Sequence, residues 1–250
     1  MCTFSIIIPT YNVENLIEKS LTSILTQKYK SFEIIIIDSL SSDKTMQIIN
    51  SYKKLYSNYK WIILSEKDKG IYDAMNKGIK LATGKFIFFL GADDVFYNNN
   101  VLSSISQEIK INKNIDIFYG NIIRVNINNS VDSKLVTPYI LNKNVIFNKI
   151  QVFINLGICH QSIFAKKETL ENGFSNDYKL ASDFNWILES ISQKRKFKYT
   201  DNIIAKYNIS GASSEIKKLF YELKQIFKKH YGPFFAFIFT VLRKKRWLKS

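Results

Sequence analysis

The stretch FIFFLGADDVF, residues 86–96, contains five apolar residues followed by a glycine, an alanine and two adjacent carboxylates. A continuous apolar run of this kind is typical of a strand that is covered on both faces of a sheet. The carboxylates of Asp93 and Asp94 repel each other, so we expect a positive group close to them. The stretch therefore predicts a buried strand that ends at a polar site.

Three similar apolar runs precede this stretch in the chain. FSIII (4–8), FEIIII (32–37) and WIIL (61–64) alternate with segments whose apolar residues recur at helical spacing, and KFIFFL (85–90) is the fourth run. An alternation of strand and helix predicts parallel βαβ units. The expected fold class is α/β, a doubly wound and mostly parallel sheet with flanking helices.

The pattern is looser beyond about residue 120. The elements predicted there are a strand at IIRVNINN (122–129), a loop in the polar stretch 126–149, a strand at HQSIFAKK (160–167), a short helix ending at Gly173, a helix over 182–193, and a short strand pair at KFKYT (196–200) and NIIAKY (202–207). These elements divide residues 1–212 into a first half, 1–120, and a second half, 121–212. Residues 213–250 form a helical, basic and aromatic tail.

Composition excludes several classes of protein. The 250 residues can bury a sizeable core. The two cysteines, Cys2 and Cys159, stand without a CxxC pair, so neither a disulfide framework nor a zinc site is expected, and a reducing compartment fits. The first residues lack the basic start and long apolar run of a secretory signal.

The net charge of +15 is concentrated at the C-terminus. From Lys217 onward the chain has ten Lys or Arg residues and one acidic residue, which accounts for +9 of the total. This distribution indicates a local binding surface and not a nucleic-acid binder. Residues 233–242 are apolar apart from Thr240 but too few to span a bilayer, which takes roughly 20 residues. We expect this segment to lie on an anionic membrane surface, the alternative being that it packs on the domain.

Polar residues follow all four predicted strands of the first half. They are PTYN (9–12), Asp38, SEKDKG (65–70) and GADD (91–94), and the carboxyl ends of parallel strands form one crevice. Gly70 is the first glycine of the chain, which excludes a glycine-rich dinucleotide or phosphate loop after the first strand. Asp93 and Asp94 offer the hard oxygen ligands that Mg²⁺ or Mn²⁺ prefers. The alternative is that the two carboxylates cap the helix that follows.

Residues 5–45 and 65–94 together resemble the family 2 glycosyltransferases, and in particular the small bacterial enzymes that build O-antigen, capsule and exopolysaccharide repeat units. The resemblance extends over roughly residues 3–210. It implies a GT-A fold and a metal-dependent, inverting transfer from a nucleotide-diphosphate sugar. The residues that it implies for donor binding are Pro9, Thr10, Tyr11, Glu14, Asp38, Asp68, Lys69 and Asp93, with Asp94 as the principal metal ligand and Asp93 as a second. Two positions depart from the family pattern: Gly91 stands where a further acidic or Asn residue is usual, and Ser39 replaces a carboxylate.

The segment YKLASDFNWIL (178–188) resembles the part of the family that carries the catalytic base. Inversion in one step needs a carboxylate to accept the proton of the acceptor hydroxyl, and Asp183 is the candidate. Its alternative role is to stabilise the first turn of its helix through the helix dipole. His160 matches a family position near the site, and its alternative is a purely structural histidine.

The resulting hypothesis is an enzyme that adds a single hexose, glucose or galactose from a UDP-sugar, in β-linkage. The acceptor implied is a saccharide linked to a polyprenyl diphosphate, in the assembly of a surface polysaccharide such as O-antigen or capsule. The expected location is peripheral, at the cytoplasmic face of the bacterial inner membrane. The alternative from another class is a non-catalytic module for nucleotide-sugar binding or membrane recruitment.

Overall fold

A computed structural model describes residues 2–126, 129–137, 159–208, 216–234, 236–237 and 240. The strands are β1 (Phe4–Thr10), β2 (Phe32–Asp38), β3 (Lys60–Ser65), β4 (Phe86–Phe89), β5 (Val95–Phe96), β6 (Ile117–Asn126), β7 (Asn129–Val136), β8 (Ile163–Lys166) and β9 (Phe197–Asn208). The helices are α1 (Ile17–Leu25), α2 (Thr45–Leu55), α3 (Ile71–Leu81), α4 (Val101–Ile111), α5 (Ser182–Ser192) and α6 (Ile216–Tyr231). Single 3₁₀ turns cover His160–Ser162 and Lys167–Leu170.

One sheet contains all nine described strands, in the order β3-β2-β1-β4-β8-β6-β9-β5, with β7 paired to β6. The first four of these strands run parallel, which confirms the βαβ prediction. β8 runs antiparallel to both of its neighbours, whereas β6 and β9 are parallel to each other. The register aligns Thr10 with Asp38 and Asp38 with Ser65, so three strand ends lie side by side.

The core has two layers because alternate side chains of each strand point to opposite faces of the sheet. On β1, Ile7 packs into the cluster that contains α3, α5 and α6. Ile6 and Ile8 pack into the other cluster, beneath α1 and α4. Helices therefore cover both faces, as the apolar strands require.

Two predictions for the second half were wrong. Residues 129–136, which were predicted as loop, form strand β7. A polar sequence can form such a strand because an edge strand that pairs on one side needs no apolar face. Residues 127–128 and 138–149 of the predicted loop lie outside the described part. The expected strand pair at 196–207 is the single strand β9. Tyr119 pairs with Tyr199 but Asn121 pairs with Ile203, so a bulge absorbs the intervening residues that look like a turn in the sequence.

The C-terminal helix α6 is packed against the domain. Leu223, Ile226 and Phe227 are buried in the same cluster as α5, and Ala236 beyond the helix also lies in this cluster. Phe234 and Phe237 are exposed, by 68% and 66%. None of the described helices is both long enough and apolar enough to cross a bilayer. The predicted basic segment 243–250 lies outside the described residues.

Candidate active site

Asp38 forms the floor of the crevice at the carboxyl ends of β1, β2 and β3. Its side chain is fully buried. Its carboxylate accepts hydrogen bonds from the hydroxyl of Ser65 at 2.7 Å, from Thr10 Oγ1 at 3.4 Å, and from the amide and hydroxyl groups of Ser41. The buried charge is thus surrounded by donors, as burial of a carboxylate requires.

The loops after β1 and β2 are joined by side chains that bond to backbone. Glu14 Oε2 accepts the amide of Lys44 at 2.8 Å, so this predicted donor-binding residue braces one loop against the other. Tyr11 is 61% exposed at the rim, whereas Thr10 is buried and Pro9 lies within the sheet pairing. Leu40, with φ of 57°, is 56% exposed, an unusual combination of an apolar side chain and left-handed backbone.

Asp68 and Lys69 lie in the loop that leads into α3. Asp68 Oδ1 accepts the amide of Gly70 at 2.9 Å, and the amide of Asp68 approaches Ser39 Oγ at 3.4 Å. The amide of Lys69 bonds to Asp73 on the first turn of α3. The loop after β3 is therefore tied to the loop after β2, and both border the crevice above Asp38.

Asp93 and Asp94 follow β4 and are oriented together by Asn208, the last residue of β9. The backbone amide of Asn208 donates to Asp94 Oδ1 at 2.9 Å, and its side-chain Nδ2 donates to Asp93 Oδ2 at 3.0 Å. Helix α4 begins only at Val101, with Asn100 as its N-cap, so the two carboxylates do not cap it. The end of β9 thus brings Asn208 into contact with Asp94 and Asp93, which precede it by 114 and 115 positions in the sequence.

Asp94 is 1% exposed, and no hydrogen-bond partner for its Oδ2 atom exists among the described residues. Burial raises the pKa of Asp94 to about 7, and the neighbouring charge of Asp93 acts in the same direction, against the bond from Asn208, the charge of His160 and the approach of the Gln161 side chain. A Cβ atom on residue 91 would lie 2.5 Å from this oxygen, so the absence of a side chain at Gly91 makes room for the carboxylate.

The Asp93–Asp94 pair has the properties of an incomplete cation site. The atoms that it offers to a metal are hard oxygens, and one of them, Asp94 Oδ2, is buried without a hydrogen bond from the described residues. Burial of such an oxygen is unfavourable, and a bound divalent cation would compensate it. Within the described part of the chain, no group of three or more His, Cys, Asp or Glu side chains is arranged to hold a metal ion. Among the described carboxylate, histidine and cysteine side chains, Asp93 and Asp94 are thus not joined by a third metal ligand.

Asp183 lies in the first turn of α5 and is contacted from two other elements. Tyr72 on α3 donates its hydroxyl to Oδ1 at 2.8 Å, and His160 Nδ1 lies 2.8 Å from Oδ2. Oδ1 also accepts the amide of Phe184 at 2.8 Å. The side chains of His160 and Asp183 are 13% and 14% exposed. A carboxylate that only stabilised its own helix would not need the side chains of α3 and the 3₁₀ turn.

These contacts set the charge states of the group. Burial alone raises the pKa of Asp183, but the hydrogen bond and charge of His160, with the bond from Tyr72, outweigh burial and lower it below the ordinary value. Burial and the charge of Asp183 raise the pKa of Tyr72 well above its ordinary value, so its hydroxyl stays protonated as a donor. Asp183 is therefore ionised at neutral pH.

The charge of His160 also acts on Asp94, so the Asp183 group and the Asp93–Asp94 pair lie close enough to interact electrostatically. Sequence reasoning missed two residues of the candidate site, Tyr72 and Asn208. Tyr72 lies within the stretch 65–94 that carries the family resemblance, which is a signal that could have identified it. Asn208 has no such signal, because its role depends on the length of β9.

The sequence model of Glycosyl transferase family 2 matches residues 5–174, more than half of the chain. The chain belongs to this family. It is accordingly a glycosyltransferase, a transferase enzyme, as the resemblance predicted. The match includes β1 to β8 and His160, whereas Asp183 lies beyond its end.

Two relatives agree with this assignment. The chain is 33% identical over 226 residues to the UDP-Glc:alpha-D-GlcNAc-diphosphoundecaprenol beta-1,3-glucosyltransferase WfgD of Escherichia coli, an alignment that covers 88% of this chain and 82% of WfgD. It is 30% identical over 214 residues to a PGL/p-HBAD biosynthesis glycosyltransferase of Mycobacterium tuberculosis, covering 84% of this chain and 78% of the relative.

Solved structures confirm the α/β fold of the GT-A type. TarS of S. aureus, residues 1–349 in complex with UDP-GlcNAc, superposes with a TM-score of 0.69 at 19% identity, over 90% of this chain and 65% of that one. The mannosyltransferase PcManGT of Pyrobaculum calidifontis, in complex with GDP-Man and Mn²⁺, gives 0.67 at 19% identity, over 90% and 63%. The chain therefore spans about two thirds of these solved chains.

Proposed function

We propose that the chain transfers one hexose from a UDP-sugar, glucose or galactose, to a saccharide carried on a polyprenyl diphosphate, with inversion to a β-linkage. The observation that carries this proposal is a paired-carboxylate site close to a second buried carboxylate, Asp183, which is held by Tyr72 and His160, with the charge of His160 acting on both. The first group suits a cation and the second suits a general base. A binding module would need only the first.

Asp93 and Asp94 are the residues that would hold Mn²⁺ or Mg²⁺. The unpartnered Asp94 Oδ2 and the space left by Gly91 support this assignment. When bound, the cation would supply positive charge that stabilises the departing nucleoside diphosphate. The nucleoside would lie along the rim formed by Tyr11, with Asp38 beneath it and the Asp68–Lys69 loop beside it.

In the transfer step, the Asp183 carboxylate accepts the proton of the acceptor hydroxyl. The oxygen of that hydroxyl forms a bond to the anomeric carbon of the sugar while the bond from this carbon to the diphosphate oxygen breaks. Attack from the face opposite the leaving group turns an α-linked donor into a β-linked product. His160 and Tyr72 keep the carboxylate in one orientation during this step.

The proposed donor and acceptor classes draw support from the relative WfgD, whose name specifies UDP-Glc and a diphosphoundecaprenol-linked GlcNAc. An acceptor of this kind remains in the membrane, so we also propose a peripheral location at the cytoplasmic face of the bacterial inner membrane, in surface polysaccharide assembly such as O-antigen or capsule. The exposed Phe234 and Phe237, which follow the basic last turn of α6 with Lys228, fit an anionic leaflet. No nucleic-acid partner is proposed.

The test is a screen of UDP-, GDP- and dTDP-sugars against a synthetic GlcNAc-diphospho-lipid with Mn²⁺, read by mass spectrometry. The expected product is the acceptor extended by one hexose from the UDP donors, with release of UDP. A protein that protects the nucleotide sugar and releases no nucleotide diphosphate is a binding module. Transfer from GDP- or dTDP-sugars alone refutes the proposed nucleotide.

A further inference from the structure

Glu222 is a buried carboxylate on the side of α6 that faces the domain. It is 7% exposed, and its neighbours Leu223 and Ile226 belong to the apolar cluster shared with α5. Burial of a carboxylate is unfavourable unless hydrogen bonds compensate it. The position of Glu222 in an otherwise apolar contact therefore indicates a specific partner.

That partner is the backbone of three consecutive residues. Glu222 Oε1 accepts the amide of Lys179 at 2.9 Å, and Oε2 accepts the amides of Leu180 and Ala181 at 2.8 and 3.1 Å. Ala181 is the N-cap of α5, and Asp183 follows two residues later. Hydrogen bonds from amides to an ionised carboxylate are stronger than neutral ones, so Glu222 fixes the chain directly before Asp183.

The same segment is restrained from the opposite direction. Ser182 Oγ donates to the carbonyl of Ser175 at 2.7 Å, which closes the 175–182 loop on itself. Beyond it, the Asp183 carboxylate is held by Tyr72 and His160. The side chain of Asp183 is thus oriented by α3 and the 3₁₀ turn, whereas its backbone is placed by α6.

We infer that Glu222 is a positioning residue for the transfer reaction, and that α6 is part of the catalytic apparatus through it. The inference rests on the proposed function, in which Asp183 is the base. Glu222 touches neither donor nor acceptor. It acts through the backbone at residues 179–181, because a displacement of about 1 Å between a base and its substrate lowers a rate by as much as ~10²-fold.

The experiment compares Glu222→Gln with Glu189→Gln. Glutamine keeps the size of the side chain, but its single oxygen cannot accept three amides and its NH₂ group faces N–H donors. Glu189 is the matched control, since it lies on α5 and pairs with Lys229 of α6 at 2.9 Å, whereas the amides of residues 179–181 bond to Glu222. Both variants remove one carboxylate from the contact between the same two helices.

We expect E222Q to lower kcat for transfer by roughly 10- to 100-fold while the KM for the UDP-sugar stays within about twofold. Hydrogen exchange at the amides of residues 179–181 should become faster in E222Q and remain unchanged in E189Q. Glu222→Asp, which keeps the charge with shorter reach, should give an intermediate kcat. This third variant provides the measurement if E222Q does not fold.

Three outcomes overturn the inference: an E222Q enzyme with wild-type kcat per folded molecule, an E222D enzyme that is no more active than a folded E222Q, or an E189Q enzyme that loses as much kcat as E222Q. In each of these cases the wild type is active and the proposed function stands. A wild-type protein that transfers no sugar from any donor refutes the proposed function itself. The two failures are therefore distinguishable within one set of assays.

Discussion

Replacement of Asp183 by Asn removes a base while preserving nearly all of the surrounding hydrogen bonds. The new Oδ1 atom still accepts from Tyr72 and from the amide of Phe184, as the carboxylate does now. The new NH₂ group faces His160 Nδ1, which must give up its proton and become an acceptor. A neutral imidazole satisfies this by carrying its proton on Nε2, so the fold is retained.

The magnitudes follow from these contacts. The three hydrogen bonds from Tyr72, Phe184 and His160 lose their charged acceptor, which weakens each by roughly half, while the cost of burying the charge disappears; the net loss of unfolding free energy is about 1 kcal/mol. The loss of a general base lowers the transfer rate by roughly 10²- to 10⁴-fold, equivalent to about 3–5 kcal/mol in the barrier. Catalysis should therefore suffer far more than stability.

The assay measures hexose transfer to the GlcNAc-diphospho-lipid together with urea denaturation of each variant. Asp177→Asn is the control, because Asp177 is an exposed carboxylate in the loop that precedes α5 and accepts a hydrogen bond from Ser175. We expect D177N to match the wild type and D183N to bind the UDP-sugar normally but to transfer slowly. Transfer by D183N at the wild-type rate would mean that Asp183 serves only the first turn of α5, and the proposed mechanism would be wrong.

Four further predictions test other parts of the molecule. Asp94→Ala should abolish metal-dependent turnover and leave the unfolding transition intact, whereas full activity in EDTA would refute the metal role. Gly91→Ala should raise the Mn²⁺ concentration for half-maximal activity by about tenfold, because its Cβ would displace the Asp94 carboxylate; an unchanged value would contradict the proposed crowding. Hydrogen bonds from Lys60, Ser5 and Thr83 outweigh burial and lower the pKa of Glu33 from 4.5 to about 2. Glu33→Gln should therefore lower the free energy of unfolding in urea by about 2 kcal/mol at pH 7, less than the full pKa shift implies because its partner Lys60 is half exposed. The difference in unfolding free energy between wild type and variant should shrink as the pH falls from about 4.5 towards 2. Serine at both Phe234 and Phe237 should reduce binding to anionic liposomes at low salt without changing activity on a water-soluble acceptor, and undiminished binding would count against the anchor.

The first half of the fold could be predicted from sequence because its signals are local. β1, β2 and β4 are mostly apolar and buried, as expected for strands covered on both faces, and the edge strand β3 contains the apolar run WIIL. The second half mixes parallel and antiparallel pairing, and there local signals mislead. Residues 200–202 look like a turn, but the bulge opposite Gly120 places them inside one strand.

The candidate site likewise contains residues that the sequence could predict and residues that it could not. Asp38, Asp93 and Asp94 follow strands, so their convergence could be expected from the topology alone. The contact between Tyr72 and Asp183 joins residues 111 positions apart, and periodicity gives no indication of such a pair. Asn208 was missed for a related reason, since its contact with Asp94 depends on β9 being long enough to reach the loop after β4.

The pairing of the sheet limits how this protein can diverge. β8 lies between β4 and β6, and β5 from the first 120 residues is bonded to β9 from the second part of the chain. A cut between the two halves would uncover the edge of β4, where Ile87 and Phe88 are completely buried, and would free an apolar edge for aggregation. Exchange of the whole second half, residues 121–212, between related enzymes should therefore yield insoluble chimeras. We expect acceptor preference to change through substitutions in the loops, while the strands of the sheet remain together as one unit.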